Sequence, residues 1–179
     1  MGIAGRRGAR HPKVARCVPA RKDQMSHVAT MKTVIYDLSC LEKACADLGL
    51  KFVWDQHTHR WYGRWMNDYS ESDAAYLNGV TPDMYGKCLH AITIPGNKTC
   101  YEVGVVKNPQ GDGYLLLFDF WSGGLGMGEK VGGKDMGKLL AHYAKYVQIQ
   151  EAQAQGYGVS EKVDEYGNIE LTFEDYTYA

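Results

Sequence analysis

The sequence contains no apolar run near the roughly 18 residues that a membrane-spanning helix needs. It also has no apolar stretch of the kind that directs secretion. C-x-x-C pairs are absent. The five cysteines, Cys17, Cys40, Cys45, Cys88 and Cys100, are odd in number, and Cys40 and Cys45 sit five apart on different faces of one predicted helix. A disulfide framework or a structural zinc site is therefore not expected, and a reducing cytosol is the natural compartment. Neither G-x-S-x-G nor H-E-x-x-H occurs, and no Cys/His dyad stands out, so no complete catalytic set is legible. There is no internal repeat.

What is present is a chain of 179 residues, 45% hydrophobic, enough for one domain with a proper core. The net charge is −1, but it is unevenly distributed. Residues 1–24 hold seven basic groups and one acid, a net of +6, leaving −7 on the remainder. An acidic body makes a broad nucleic-acid surface unlikely there. Residues 1–24 are rich in Gly, Ala, Arg and Pro and cannot order themselves by burial. They read as an extension from an upstream start, with a basic arm or a transit segment as alternatives. The folded pattern begins at Met25-Ser26-His27 and runs to residue 175, with 176–179 as a tail.

Val28 to Tyr36 is rich in β-branched residues and reads as a strand. Ser39-Cys40-Leu41-Glu42 matches a capping box, and Leu41, Ala44, Cys45 and Leu48 give one buried helical stripe. Further strands are expected over 51–54, 60–65, 87–94, 101–106 and 114–121. A long helix starts near Lys134, with Met136, Leu140, Tyr143 and Val147 on its buried face. A hairpin turns at Tyr166-Gly167-Asn168. Short links between strands favour antiparallel pairing. The expected fold is α+β: a single antiparallel sheet, two main helices on one face and a C-terminal hairpin.

The densest signal is the glycine loop after the 114–121 strand, with Gly123, Gly124, Gly126, Gly128, Gly132 and Gly133. Gly128, Gly133 and Lys134 have the spacing of the phosphate-cradling G-x-x-x-x-G-K motif. Asp135 stands where that motif needs a hydroxyl, and Glu129 adds a second negative charge. Asp135 reads better as a helix N-cap. A mobile loop that docks a partner is the more natural reading, with a plain connection as the alternative.

In His57-Thr58-His59-Arg60-Trp61-Tyr62-Gly63-Arg64-Trp65, an extended chain places His57, His59, Trp61 and Trp65 on one face. Interleaved Arg and aromatics can stack on single-stranded bases, but strand aromatics are more often core. Two histidines without an acid or thiol nearby do not make a metal site. Asp119 lies within an apolar strand and is expected to be paired or on the solvent face. His27, His90 and His142 are isolated in sequence and read as structural. The 13 tyrosines suggest a protein interface wherever they cluster in the open.

From Met25 onward the chain resembles the family catalogued as domain of unknown function 1257, in its bacterial and phage branch. The resemblance rests on Met25-Ser26-His27, Asp47-Leu48-Gly49, Trp61-Tyr62-Gly63 and Gly86-Lys87-Cys88 with His90-Ala91-Ile92. It continues through Tyr101-Glu102-Val103-Gly104, Phe118-Asp119-Phe120-Trp121 and Gly167-Asn168-Ile169. It implies a small α+β domain, supplies no catalytic residue, and suggests an AAA-type ATPase as partner.

Together these readings lead to an expected function: a non-catalytic, cytoplasmic adaptor that docks to a larger assembly, with no cofactor. The residues expected to bind are Trp61, Arg64, Trp65, Trp121, Gly124, Gly126, Gly128, Lys130 and Lys134. The alternatives are a nucleic-acid accessory protein using the basic arm and the Arg/Trp strand, and an enzyme or sensor holding a phosphorylated ligand at the loop.

Overall fold

Asp37, not Ser39, starts the first helix. Its Oδ1 accepts the backbone N–H groups of Ser39 at 2.8 Å and Cys40 at 2.9 Å, which satisfies two donors that the helix itself leaves unpaired. The Ser39 hydroxyl and then the Cys40 amide hold the Asp37 carboxyl down at about 2. The computed structural model describes residues 28–30, 33–62, 79–165 and 168–175. Helix α1 spans Leu38–Asp47 and buries Cys40, Leu41, Ala44 and Cys45.

The main sheet has five antiparallel strands: β1 (Val28–Thr30), β2 (Lys51–Val53), β3 (His90–Thr93), β4 (Val103–Lys107) and β5 (Tyr114–Asp119). Their spatial order is β1-β5-β4-β3-β2. The first strand is shorter than expected; beyond it, Ile35 meets Tyr114 in a single bridge. Two helices follow β5: short α2 (Met127–Val131) and long α3 (Gly137–Ala154). Strands β6 (Tyr157–Val163) and β7 (Ile169–Asp175) pair only with each other. The α+β antiparallel architecture is therefore as read from sequence, except that the hairpin forms a second small sheet.

The helices share one face of the main sheet. There Ile92, Val103, Val105, Leu116 and Phe118 meet Leu41, Ala44, Met127, Val131, Met136 and Leu139 in one apolar cluster. Helices α1 and α3 run antiparallel, tied at both ends. At one end Gln150 Nε2 reaches Asp37 Oδ2 at 2.9 Å. At the other, Asp47 accepts His142 Nδ1 at 2.8 Å, Lys145 Nζ at 2.5 Å and the Tyr146 hydroxyl at 2.8 Å. Burial raises the Asp47 pKa, but these three donors more than reverse that, and its carboxyl ends below the usual range. Lys145 is itself buried and also reaches Glu161 Oε1 on β6 at 3.2 Å, so one ammonium joins α1, α3 and the hairpin.

The opposite face of the sheet carries smaller residues. Ala91, Val106, Leu115 and Leu117 pack beneath Val80, Tyr85 and Cys88, with Trp61 and Met84 at the margin. Both faces being covered, β5 is buried continuously rather than alternately. The cover on this second side is mostly irregular chain, residues 56–62 and 79–89 with one 3-10 turn at Pro82–Met84, and polar groups fix it. Glu102, 3% exposed, accepts the Arg60 amide at 2.8 Å and the Gln56 amide side chain at 3.0 Å, and pairs with the Arg60 guanidinium at 2.8 Å. His59 lies over Gly104, where a side-chain Cβ would collide with its ring. Its Nδ1 is buried without a hydrogen bond, and burial pulls its pKa down to about 4. The strand expected over 60–65 is not formed at Arg60–Tyr62; positions 63–65 lie outside the described residues.

Candidate docking site at the glycine loop

Strand β5 ends on Asp119, which is 1% exposed. Its Oδ1 accepts the Trp121 amide and its Oδ2 the Tyr62 amide, each at 3.0 Å. A buried carboxylate requires such partners. Here it turns the chain out of the sheet and holds the end of the 56–62 segment against the turn. Asp119 thus bonds backbone N–H groups rather than standing on a solvent face.

Beyond it the backbone makes one left-handed turn. Ser122, Gly123, Gly124 and Leu125 have φ between 50° and 67° and ψ between 22° and 41°. This conformation costs a residue with a side chain about 1–2 kcal/mol, and Ser122 and Leu125 both carry one. Hydrogen bonds fix the turn: Gly123 N–H to the Phe120 carbonyl at 2.8 Å and Tyr101 N–H to the Gly124 carbonyl at 3.1 Å. Gly124 is buried against the Phe118 ring, which leaves no space for a Cβ. At Gly128 a Cβ would lie 2.9 Å from the Gly123 carbonyl oxygen.

Helix α2 then inserts Met127 and Val131, both fully buried. The loop is anchored through its middle, which is the opposite of what a mobile segment requires. The G-x-x-x-x-G-K stretch is occupied by α2 and its left-handed cap at Gly132, not by an open cradle. Nor does Asp135 cap α3: the cap position is Met136, left-handed at φ 48°, fully buried and without a side-chain hydrogen bond. Met136 lies in the cluster between helices and sheet, so packing of its side chain sets where the helix begins.

The result is a shallow concavity of about 580 Å³ lined by Phe120, Gly123, Gly128, Glu129, Gly133, Lys134 and Lys138. Of the residues expected from sequence, Gly128 and Lys134 meet here. Gly126 and Lys130 are exposed on the same loop, and Gly124 supports it from beneath. Trp121 is half-buried, its ring 5.3 Å from that of Tyr62. Trp61 is not part of this face; it stacks on Tyr85 at 5.6 Å and fills the space left by Gly86. Arg64 and Trp65 lie outside the described residues. Sequence reasoning missed Tyr62 and Lys138. Lys138 follows Lys134 by four residues, a spacing visible in the sequence; the Tyr62–Trp121 contact spans 59 positions and left no signal.

The four described cysteines are buried and unpaired, and burial pushes Cys45 and Cys88 up to about 12, which keeps them as inert thiols. Among the described residues no group of three or more His, Cys, Asp or Glu is placed to hold a metal, and no helix is long and apolar enough to cross a membrane. No family model, curated protein or solved structure matches the chain.

Proposed function

We propose that this chain is a non-catalytic adaptor that docks to a larger protein assembly through the glycine loop, the Tyr62–Trp121 pair and the start of α3. One observation carries the reading: a strained left-handed turn is held rigid by buried anchors while its outer positions are bare. Gly123, Gly126 and Gly133 have positive φ and nothing within 4 Å of where a side chain would sit. A partner backbone can approach such positions closely, and backbone strain maintained by its surroundings is typical of functional segments. Lys134 and Lys138 outweigh Glu129, which favours an acidic segment on the partner. The family resemblance suggests an AAA-type ATPase in that role, and buried unpaired thiols suit a cytoplasmic setting.

The nucleic-acid reading has less support. Trp61 is committed to packing and Arg60 to Glu102, and residues 1–24 lie outside the described residues. A phosphorylated ligand at the loop is disfavoured by α2, which fills the motif. The test is affinity capture from native lysate with the wild-type chain and with Lys130→Glu/Lys134→Glu. We expect a defined partner whose recovery drops at least tenfold with the variant at unchanged melting temperature. Recovery of the chain alone, as a monomer, counts against the reading.

A further inference from the structure

Strands β6 and β7 pair only with each other, and neither joins the five-stranded sheet. A lone two-stranded hairpin is marginal in water. The Asp164 N–H meets the Asn168 carbonyl at 3.0 Å, which fixes the phase of the ladder: Lys162, Ser160 and Gly158 bond across to Glu170, Thr172 and Glu174. The N–H and C=O groups of Tyr157, Val159, Glu161 and Val163 therefore point out of β6, away from β7. None of them has a backbone hydrogen bond to another described residue. β7 has a matching free edge at Ile169, Leu171 and Phe173.

The hairpin packs on the molecule by one side only. Lys145 of α3 binds Glu161, so the side that carries Tyr157, Val159, Glu161 and Val163 faces α3. Even so, Tyr157 and Val163, at the two ends of β6, remain 39% and 55% exposed. An open strand edge flanked by exposed apolar side chains is a template for another strand.

The sequence of β6 selects the occupant. An antiparallel two-fold pairing of β6 with itself uses all seven of its residues in one register, centred on Ser160. Tyr157 then lies opposite Val163 of the second copy at both ends, an aromatic against a β-branched side chain. Val159 lies opposite Glu161, and Gly158 opposite Lys162, so no like charges meet. Lys162, the one basic residue among 157–175, has Glu170 of its own hairpin on one side. On its other side is Gly158 of the second copy, with no side chain to bar the way to Glu174 one strand, about 4.8 Å, further on. β7 fails the same test. Its full-length register, centred on Thr172, sets Glu170 opposite Glu174 twice, in non-hydrogen-bonded pairs where side chains lie closest.

We propose that β6 is the dimerisation edge of this protein, joining two hairpins into one four-stranded antiparallel sheet about a two-fold axis at Ser160. The like charges on β7 close the assembly at two chains. Such a dimer carries two copies of the docking surface, but the inference does not rest on the docking role.

Light scattering of the full chain tests it. The mass should rise from one chain at about 1 μM to two at about 500 μM, as for a small, transient interface. Val159→Pro removes an outward N–H and no hairpin hydrogen bond, a place where a strand edge tolerates proline. It should weaken association roughly tenfold or more while the circular dichroism spectrum is retained. In a Cys17→Ser background, Ser160→Cys should give a covalent dimer on mild oxidation. The two positions face each other across the axis at a Cα separation of about 4.5 Å, within disulfide reach. Thr172→Cys, beside it on β7, should not cross-link. Ser160 and Thr172 are exposed, so these two variants carry the test if Val159→Pro fails to fold. A chain that stays monomeric at about 500 μM, grows beyond two copies, dimerises unchanged with Val159→Pro, or cross-links through Thr172→Cys as readily as through Ser160→Cys overturns the proposal.

Discussion

The two faces of the five-stranded sheet are held in different ways. On one, three helices bury a continuous apolar cluster, and helix ends are pinned by polar groups at its rim, among which only Lys145 is buried. On the other, irregular chain lies over small residues and is held by three buried ionisable groups: His59, Glu102 and Asp119. Apolar contact is non-directional and tolerates acid. A buried carboxylate that accepts backbone N–H groups fixes a chain with little regular structure of its own. The proposed docking surface lies where the two meet: Asp119 ends the strand common to both and clamps Tyr62 to Trp121.

The largest expected effect is on the helix face. Phe118→Ala should cost about 4 kcal/mol in chemical denaturation, since Phe118 is fully buried and also supports Gly124. On the other face, Glu102→Ala removes the acceptor for Arg60 and Gln56 and should cost about 3 kcal/mol. Its effect should be local: amides of residues 56–62 lose hydrogen-exchange protection before those of β5. A global, cooperative loss in that variant would erase the distinction between the faces.

Acid sharpens the comparison. His59 holds its proton less readily when buried than when the chain is unfolded, where its pKa is near 6.5. The unfolded chain therefore takes up the extra proton as pH falls from about 6.5 to about 4, and stability falls through that window. The loss is on the order of 3 kcal/mol. His59→Phe should flatten the dependence without loss of stability at pH 7, since it removes an unsatisfied buried nitrogen. A denaturation midpoint that stays pH-dependent in that variant would exclude His59 as the source. The smallest effect is at α1: Asp37→Ala should cost about 1 kcal/mol, and in the wild-type chain that contribution is lost as pH falls from about 3.8 to about 2.

Much of this architecture was readable where periodicity is strong. The stripe of Leu41, Ala44 and Cys45 and the spacing of Met136 and Tyr143 placed both main helices. Helix starts were harder. Asp37 and Ser39 are both competent caps two residues apart, and only the three-dimensional path picks Asp37. Asp135 had the right chemistry, but burial of Met136 decided the position. The glycine loop was legible as important and misread in kind. Composition signals permission for positive φ, whereas its rigidity comes from Phe118, Met127 and Val131, one of them on another element. The clamp at Asp119 depends on Tyr62, 57 positions away, and no local pattern announces such a contact.

The most direct test is a two-dimensional NMR titration from pH 7 to pH 4. The account predicts that the amides on either side of His59, residues 57–60, move towards unstructured shifts while the methyl signals of Leu116, Leu139 and Val131 stay dispersed. Simultaneous collapse of both sets in a single transition, or no change in either, would contradict it.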